Sequence, residues 1–199
     1  MDTLLPLIEA AGYIGVFGIV FIESGLLVGF FLPGDTLLFA AGLLASKGFF
    51  NIVILLIGTT VAAIAGDSVG YFIGKKIGPK LFTREDSRFF KKEHAFRAQH
   101  FFDRHGKKTI FLSRFIPIVR TFAPVVAGVG NMRYRTFLLF NVMGGAVWCF
   151  SLILAGYFLG TEIPNIDTYI LPIVLGIFFL SFLPVIRQVV LARRETPKP

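Results

Sequence analysis

TIFLSRFIPIVRTFAPVVAGVG, residues 109–130, is the stretch that decides the fold, because it holds two arginines in an otherwise apolar segment. Arg114 and Arg120 lie among Phe, Ile and Val residues, and Pro117 and Pro124 interrupt the segment. A charge within a bilayer costs roughly 3 kcal/mol on insertion scales, so an embedded charge is by default an ion or substrate contact. We therefore interpret Arg114 and Arg120 as candidate site residues.

A second apolar stretch carries charges of the opposite sign. GYIGVFGIVFIESGLLVGFFLPGDTLLFAAGLLAS, residues 12–46, contains Glu23 and Asp35, and Pro33-Gly34 interrupts it directly before Asp35. Opposite charges in separate apolar segments favour one site that is assembled from both. Asp35 also has the position of a helix N-cap after the Pro-Gly turn, and this alternative role stays open.

The composition predicts a membrane protein. The mean hydropathy is +0.75, 55% of the residues are hydrophobic and 24 are Phe, which is typical of a chain whose preferred solvent is lipid. Cys149 is the only cysteine, which excludes an intramolecular disulfide and a cysteine-based metal cluster. We expect no metal ion and no cofactor.

The basic residues predict the topology. Eleven Lys and Arg residues against four acids in residues 75–108 indicate a cytoplasmic loop, and the basic tail, 188–199, is expected on the same side. Three apolar runs are long enough to cross the bilayer: 51–74, 136–160 and 168–187. The runs 136–160 and 168–187 cross the bilayer outward and back, so they account for the whole path from the basic loop to the basic tail. Residues 109–130 must therefore begin and end in the cytoplasm. This segment is therefore a predicted re-entrant hairpin, whose tip must be buried in protein or face a wet cavity.

An internal repeat extends this interpretation. A shift of 86 residues places GYFIG at 70–74 on GYFLG at 156–160, and Gly42 on Gly128. The same shift places the Pro33-Gly34-Asp35 tip on residues 119–121. Inverted repeats with broken helices are typical of transporters. Shared membrane-helix composition is the alternative explanation of the glycine matches.

The predicted fold is an all-α polytopic integral membrane protein with a single membrane domain, 1–199. An inverted repeat of a re-entrant helical hairpin plus a transmembrane helix is followed by an additional C-terminal transmembrane helix. Its parts are repeat 1, about 10–75, with the hairpin 12–46; an amphipathic basic linker, 76–108, on the membrane surface; repeat 2, about 109–161, with the hairpin 109–130; the C-terminal helix, 168–187; and the basic tail, 188–199.

Three motifs together resemble the DedA family of bacterial inner-membrane proteins, which carry the VTT domain. They are FIESGLLVGFFLPGDTLLFAAGLLAS, GDSVGYFIGKKIG and FLSRFIPIVRTFAPVVAGVGNMRYRTF. The resemblance covers roughly residues 12–160. It implies a translocase of polyprenyl phosphate or phospholipid that depends on the proton-motive force, in a bacterial inner membrane. By position, Glu23 and Asp35 match the family's functional acids, and Arg114 and Arg120 match its functional arginines.

These matches and elementary chemistry predict the roles in the site. An Arg guanidinium binds phosphate through two parallel hydrogen bonds, so Arg114 and Arg120 are the predicted phosphate ligands. Carboxylates in a low dielectric bind protons readily unless they are paired, so Glu23 and Asp35 are predicted to couple transport to protons, or to sodium, or to pair with the arginines. Whether the arginines contact substrate or only the acids is left open.

Several polar residues are possible secondary members of the site. Asp67, in AGDSVGYF, either faces the same cavity or pairs with Ser68 or a hairpin arginine. Three neutral polar side chains could also form hydrogen bonds to a headgroup, although such side chains more often form contacts between helices. They are Ser113, Thr121 and Asn141. Trp148 is expected to pack within its span.

The predicted partner is an anionic lipid, with undecaprenyl phosphate as the first candidate, moved from the outer to the inner leaflet. A flippase or scramblase of a phospholipid such as phosphatidylethanolamine is the alternative. An intramembrane lipid phosphatase is disfavoured, because no histidine follows Ser113-Arg114, so we expect no enzyme and no catalytic residue. A non-transporting scaffold stays open. Nucleic acid is not an expected partner, because positive-inside topology explains the net charge of +8.

Overall fold

The computed structural model describes residues 4–26, 34–83 and 108–162. Within these ranges the chain is all-helical, as predicted, and contains no strand. The helices are α1 (Leu4–Gly25), α2 (Gly34–Ser46), α3 (Ile52–Thr83), α4 (Lys108–Ser113), α5 (Pro117–Val129) and α6 (Tyr134–Glu162). The predicted C-terminal helix, 168–187, the basic tail and most of the basic linker lie outside the described residues. The start of that linker, residues 76–83, continues helix α3.

Among the described helices, two are long and apolar enough to cross a membrane. Ile52–Ile77 of α3 has 26 residues with a hydropathy of 2.1, and Tyr134–Glu162 has 29 residues with a hydropathy of 2.0. They correspond to the predicted spans 51–74 and 136–160. Val53, Ile57 and Val61 of α3 are 57%, 58% and 59% exposed. An apolar row of this kind on the outer surface of a long helix is suited to contact with lipid.

The two predicted segments that carry the charges each form a pair of shorter helices. α1 packs on α3 and α4 packs on α6, so the first helix of each pair contacts the long helix that follows it. The second helix of each pair crosses to the other long helix, because α2 packs on α6 and α5 packs on α3. This exchange connects each pair of short helices to both long helices.

Glycines allow the backbones to approach closely where α2 crosses α6. A Cβ on Gly42 would overlap the carbonyl oxygen of Ile153, and a Cβ on Gly156 would overlap the carbonyl oxygen of Phe39. Each helix therefore contributes one glycine and one carbonyl, and these are three residues apart. Small residues at such crossings are typical of helix packing in membranes.

The crossing of α5 with α3 repeats this arrangement. A Cβ on Gly128 would overlap the carbonyl oxygen of Tyr71, and a Cβ on Gly74 would overlap that of Val125. The spacing of glycine and carbonyl is again three residues on each helix. Gly42 and Gly128, which the shift of 86 residues aligns, thus have equivalent positions in the two crossings.

The break between α4 and α5 lies earlier than predicted. The helices are interrupted at 114–116, whereas the sequence shift placed the tip at 119–121, inside α5. Pro117 explains the difference, because it occupies the first turn of α5 and a residue before proline avoids the helical conformation. Ile116 is accordingly extended, with φ −115° and ψ 108°. Pro124 was predicted to interrupt the segment, but α5 continues through it to Val129.

Candidate functional site

Arg120 joins the two charged segments. It lies on α5, where its Nη1 donates a hydrogen bond to Asp35 Oδ1 of α2 at 2.5 Å, and its Nη2 donates to Glu23 Oε1 of α1. The side chains of Arg120 and Glu23 are 14% and 4% exposed, whereas that of Asp35 is 44% exposed. One guanidinium fork is therefore held by two carboxylates, of which only Asp35 is open to the surroundings.

Gly34 explains part of the local sequence around this pair. It is the first residue of α2, and a Cβ at this position would overlap Glu23 Oε2. Asp35 follows within the first turn of α2, after the helix has begun, so it does not hold the N-cap position that the sequence left open, and its side chain contacts Arg120. Gly34 therefore makes room for one acid, and Asp35 presents the other.

Arg114 forms a second ion pair in different surroundings. It follows α4, and its Nη2 donates to Asp67 of α3 and to Asn141 Oδ1 of α6. Its side chain and that of Asp67 are 6% and 7% exposed. The alternative of a pair between Asp67 and Ser68 is not observed, because the Ser68 hydroxyl donates to the carbonyl of Ile64 at 2.7 Å.

Trp148 of α6 contacts both ion pairs. Its indole Nε1 donates to Asp35 Oδ1 at 2.8 Å. The Cζ atom of Arg120 is 4.8 Å from the centre of the indole ring, and that of Arg114 is 5.9 Å away. The sequence interpretation of Trp148 as a packing residue therefore missed a member of the site. Its position in the middle of a span, away from the membrane interface where Trp is common, was the available signal.

A pocket lies between the two ion pairs. It is lined by residues of four helices and the turn before α5: Glu23, Ser24, Asp67, Arg114, Arg120, Thr121 and Trp148. Two buried polar atoms lack a hydrogen-bond partner among the described residues, Glu23 Oε2 and Arg114 Nε. Buried polar atoms are nearly always bonded, so the Arg114 Nε donor marks a place for a ligand group or water, whereas Glu23 Oε2 lies against Gly34.

The possible secondary residues differ in their positions. Thr121 lines the pocket, and Asn141 accepts from Arg114 and donates from Nδ2 to the carbonyl of Ile64 at 3.3 Å. The hydroxyl of Ser113 donates to the carbonyl of Ile110 at 2.8 Å, within its own helix, so it is not directed at the ion pairs. Ser24, adjacent to Glu23, lines the pocket and was not predicted.

Comparison with known proteins gives the family. The sequence profile of the VTT domain matches residues 32–158. The chain is 44% identical to Protein DedA of Escherichia coli (strain K12) over 188 residues, which are 94% of this chain and 85% of that protein. The chain belongs to the DedA family of membrane proteins. The VTT profile begins after Glu23, but the similarity to DedA extends over most of the chain.

Other relatives of this DedA-family chain are also named as membrane proteins. A membrane protein of Mycobacterium tuberculosis (strain ATCC 25618 / H37Rv) is 47% identical over 189 residues, 92% of this chain and 82% of that protein. Inner membrane protein YqjA of Escherichia coli (strain K12) is 35% identical over 178 residues, 85% of this chain and 80% of that protein. No solved structure matches the chain.

Proposed function

We propose that this DedA-family protein transports an anionic, phosphate-headed lipid, and that undecaprenyl phosphate is moved from the outer to the inner leaflet. The observation that carries the proposal is the pocket lined by Arg114 and Arg120, each paired with acids, within apolar helices. Embedded charges of this kind are typical of substrate and ion pathways. Movement of phosphatidylethanolamine, a second phosphate-headed lipid, is the alternative outcome of the test.

Arg120 is the proposed phosphate ligand, and it exchanges its carboxylate partners for the phosphate. Its two terminal nitrogens already bind carboxylate oxygens of Glu23 and Asp35. A phosphate offers oxygens that suit the same planar fork. Because Asp35 is 44% exposed and Glu23 only 4%, an arriving headgroup meets the Asp35 side of the pair first.

Glu23 is the proposed site of proton binding. When Arg120 turns to the lipid phosphate, the buried Glu23 carboxylate loses its cation. A buried charge without a partner is costly, and a proton removes that charge. Proton entry would then accompany lipid binding, and release of the lipid would return Arg120 to Glu23.

An inverted repeat of two re-entrant hairpins is the proposed architecture. Its support is the pair of crossings, α2 on α6 and α5 on α3, which place a glycine and a carbonyl at the same spacing. Rocking of one half against the other would expose the pocket to each leaflet in turn. The break at 114–116 lies beside the pocket, where non-helical backbone is tolerated in a membrane protein.

A bacterial inner membrane is the proposed location, with the basic linker on the cytoplasmic side. The similarity to Inner membrane protein YqjA supports the membrane, and the excess of Lys and Arg in residues 75–108 supports the orientation.

Transport by the purified protein in liposomes tests the proposal. Labelled undecaprenyl phosphate and phosphatidylethanolamine are followed separately between leaflets, with and without a pH gradient. The expected result is movement of undecaprenyl phosphate that a gradient accelerates and that Arg120→Gln abolishes. Gly15→Ala is the matched control, because a Cβ there meets nothing within 4 Å. Movement of neither lipid would overturn the function, and release of inorganic phosphate would indicate an enzyme instead.

A further inference from the structure

Trp148 contacts both members of the ion pair that is proposed to open during transport. Asp35 Oδ1 accepts hydrogen bonds from Trp148 Nε1 at 2.8 Å and from Arg120 Nη1 at 2.5 Å. The Arg120 Cζ atom lies 4.8 Å from the centre of the same indole ring. One side chain of α6 thus contacts an acid of α2 and a base of α5.

When a phosphate replaces the carboxylates on Arg120, the charges of the ion pair are separated from their partners. Asp35 loses its guanidinium when Arg120 turns away, and Arg120 is between partners until the phosphate is bound. Removing one member of a buried ion pair is unfavourable, because the other charge is left uncompensated, and here the cost is greater for Arg120, at 14% exposed, than for Asp35, at 44% exposed. A group that stays bonded to each member during the exchange reduces this cost.

Trp148 has both properties that such a group needs. Its N–H is a donor and remains on the Asp35 carboxylate after Arg120 leaves. Its ring face attracts a guanidinium at less than about 6 Å, and Trp is the best of the aromatic side chains for this interaction. The residue is only 5% exposed and Arg120 is 14% exposed, so the ring meets the guanidinium where little water competes.

We propose that Trp148 is a positioning residue for anion exchange, whose ring retains Arg120 and whose N–H retains Asp35 while a lipid phosphate replaces the carboxylates on the guanidinium. This inference rests on the proposed function and adds a residue to the same site. Arg114, with its Cζ atom 5.9 Å from the ring centre, lies at the outer limit of the same interaction.

Binding of farnesyl phosphate to the purified full-length protein tests the proposal by calorimetry, with farnesol as the uncharged control. Trp148→Leu removes the ring and the N–H, and we expect its Kd to rise about tenfold. Trp148→Phe keeps an aromatic ring but has no donor for Asp35, so a smaller increase is expected. Farnesol is expected to bind all variants alike.

An Asp35→Asn background separates the two contacts of Trp148. The amide of this variant carries no charge that needs a donor, so Trp148→Phe should change the Kd there by less than about twofold, whereas Trp148→Leu should still weaken binding through Arg120. If Trp148→Phe has the same effect with and without the Asp35 carboxylate, the proposed N–H contact is wrong. This coupling would not arise if Trp148 only filled space.

Phe137→Leu is the matched control for packing, because Phe137 is a fully buried aromatic of the same helix that stacks on Tyr71. It should lower the unfolding temperature and leave the Kd within about twofold. An equal loss of affinity in Phe137→Leu and Trp148→Leu would assign both effects to packing and overturn the inference. Should Trp148→Leu fail to fold, the Trp148→Phe comparison still decides.

Fluorescence gives an independent readout, since Trp148 is the only tryptophan of the chain. Farnesyl phosphate should change its emission with the same Kd as in calorimetry, and farnesol should not. If calorimetry shows binding but the emission does not change, the proposed role of Trp148 is contradicted, while the proposed function is not. No binding of farnesyl phosphate by the wild type would overturn the proposed function itself, and the inference with it.

Discussion

Arg114 and Arg120 lie in one short segment, but their surroundings differ. Those of Arg114 suit a structural ion pair, and those of Arg120 suit an ion pair that exchanges partners with a ligand. Arg114 is 6% exposed, pairs with an equally buried Asp67 and also contacts Asn141. Arg120 is 14% exposed and pairs with Asp35, which is 44% exposed. The Arg114 pair therefore resembles a permanent connection between helices, whereas the Arg120 pair has one side on which a ligand can arrive.

The backbone accounts for this difference. Arg114 lies in the turn after α4, directly over Gly144 and Gly145 of α6, whose missing side chains leave room for the guanidinium. Arg120 lies inside α5 and extends to two other helices, α1 and α2, whose acids it joins. A buried residue held between α3 and α6 is costly to move, whereas a residue with one partly exposed partner can change partners.

The largest expected effect concerns the Arg114 pair. Arg114→Gln leaves Asp67 buried without a cation, and we expect a loss of about 3–5 kcal/mol in the free energy of unfolding. Arg114→Gln with Asp67→Asn removes both charges and should recover part of that loss. The measurement is denaturant unfolding in micelles, with expression level as a second readout.

Arg120→Gln is the matched comparison for this stability test. Its loss should be smaller than that of Arg114→Gln, because Asp35 is partly exposed and keeps the Trp148 donor, and because the buried Glu23 is proposed to bind a proton when its cation is gone. Equal losses for the two variants would remove the distinction between a permanent and an exchangeable pair.

The next effect concerns transport rather than stability. Arg120→Lys keeps the positive charge but has no planar fork, so one of the two charge-assisted hydrogen bonds to phosphate is lost. Such a bond contributes about 1.5–3 kcal/mol, so transport in liposomes should fall about tenfold or more. Normal transport at the wild-type protein level would show that bidentate phosphate binding is not the role of Arg120.

The sequence predicted which embedded charges lie close together better than it predicted their individual partners. Embedded charges of opposite sign in two apolar segments were enough to bring together Glu23, Asp35, Arg114 and Arg120 as one group. Pairs of the acids with the arginines, including Asp67 with a hairpin arginine, were among the alternatives, but the sequence did not assign which arginine pairs with which acid, because this depends on the helix break. Pro117 begins α5 and leaves Arg114 in the turn, next to Asp67, rather than next to the acids of α1 and α2.

Trp148 and Ser24 were missed for a related reason. A tryptophan in a span is usually read as a packing residue, and only the neighbouring helix shows that its N–H lies next to Asp35. The two long apolar helices, α3 and α6, were easier to predict, because length and hydropathy decide them locally. Contacts between segments depend on crossing positions such as Gly42 on Ile153, which a glycine pattern suggests but does not assign.

A smaller effect is expected in the pH dependence of transport. If Glu23 binds a proton when Arg120 leaves, acidification should accelerate transport by the wild type. Glu23→Gln imitates the protonated carboxyl, so its rate should stay constant across the same pH range. Glu162→Gln, at the exposed end of α6, is the control and should keep the wild-type dependence. A pH profile that Glu23→Gln leaves unchanged would exclude Glu23 as the proton carrier.

The smallest expected effect comes from the glycine under Arg114. A Cβ on Gly144 would lie 3.0 Å from Arg114 Cδ and 3.4 Å from Phe111 Cα, so the arginine must shift slightly to admit it. Alanine is preferred to glycine in a helix by about 1 kcal/mol, which offsets part of this crowding. Gly15→Ala makes no close contact and should therefore be neutral or slightly stabilising. Relative to that control, Gly144→Ala should lower the free energy of unfolding by about 1 kcal/mol, as overpacking does when a neighbour can move. A Gly144→Ala protein as stable as Gly15→Ala would mean that Arg114 yields without cost, and the permanent pair would then be as adaptable as the one at Arg120.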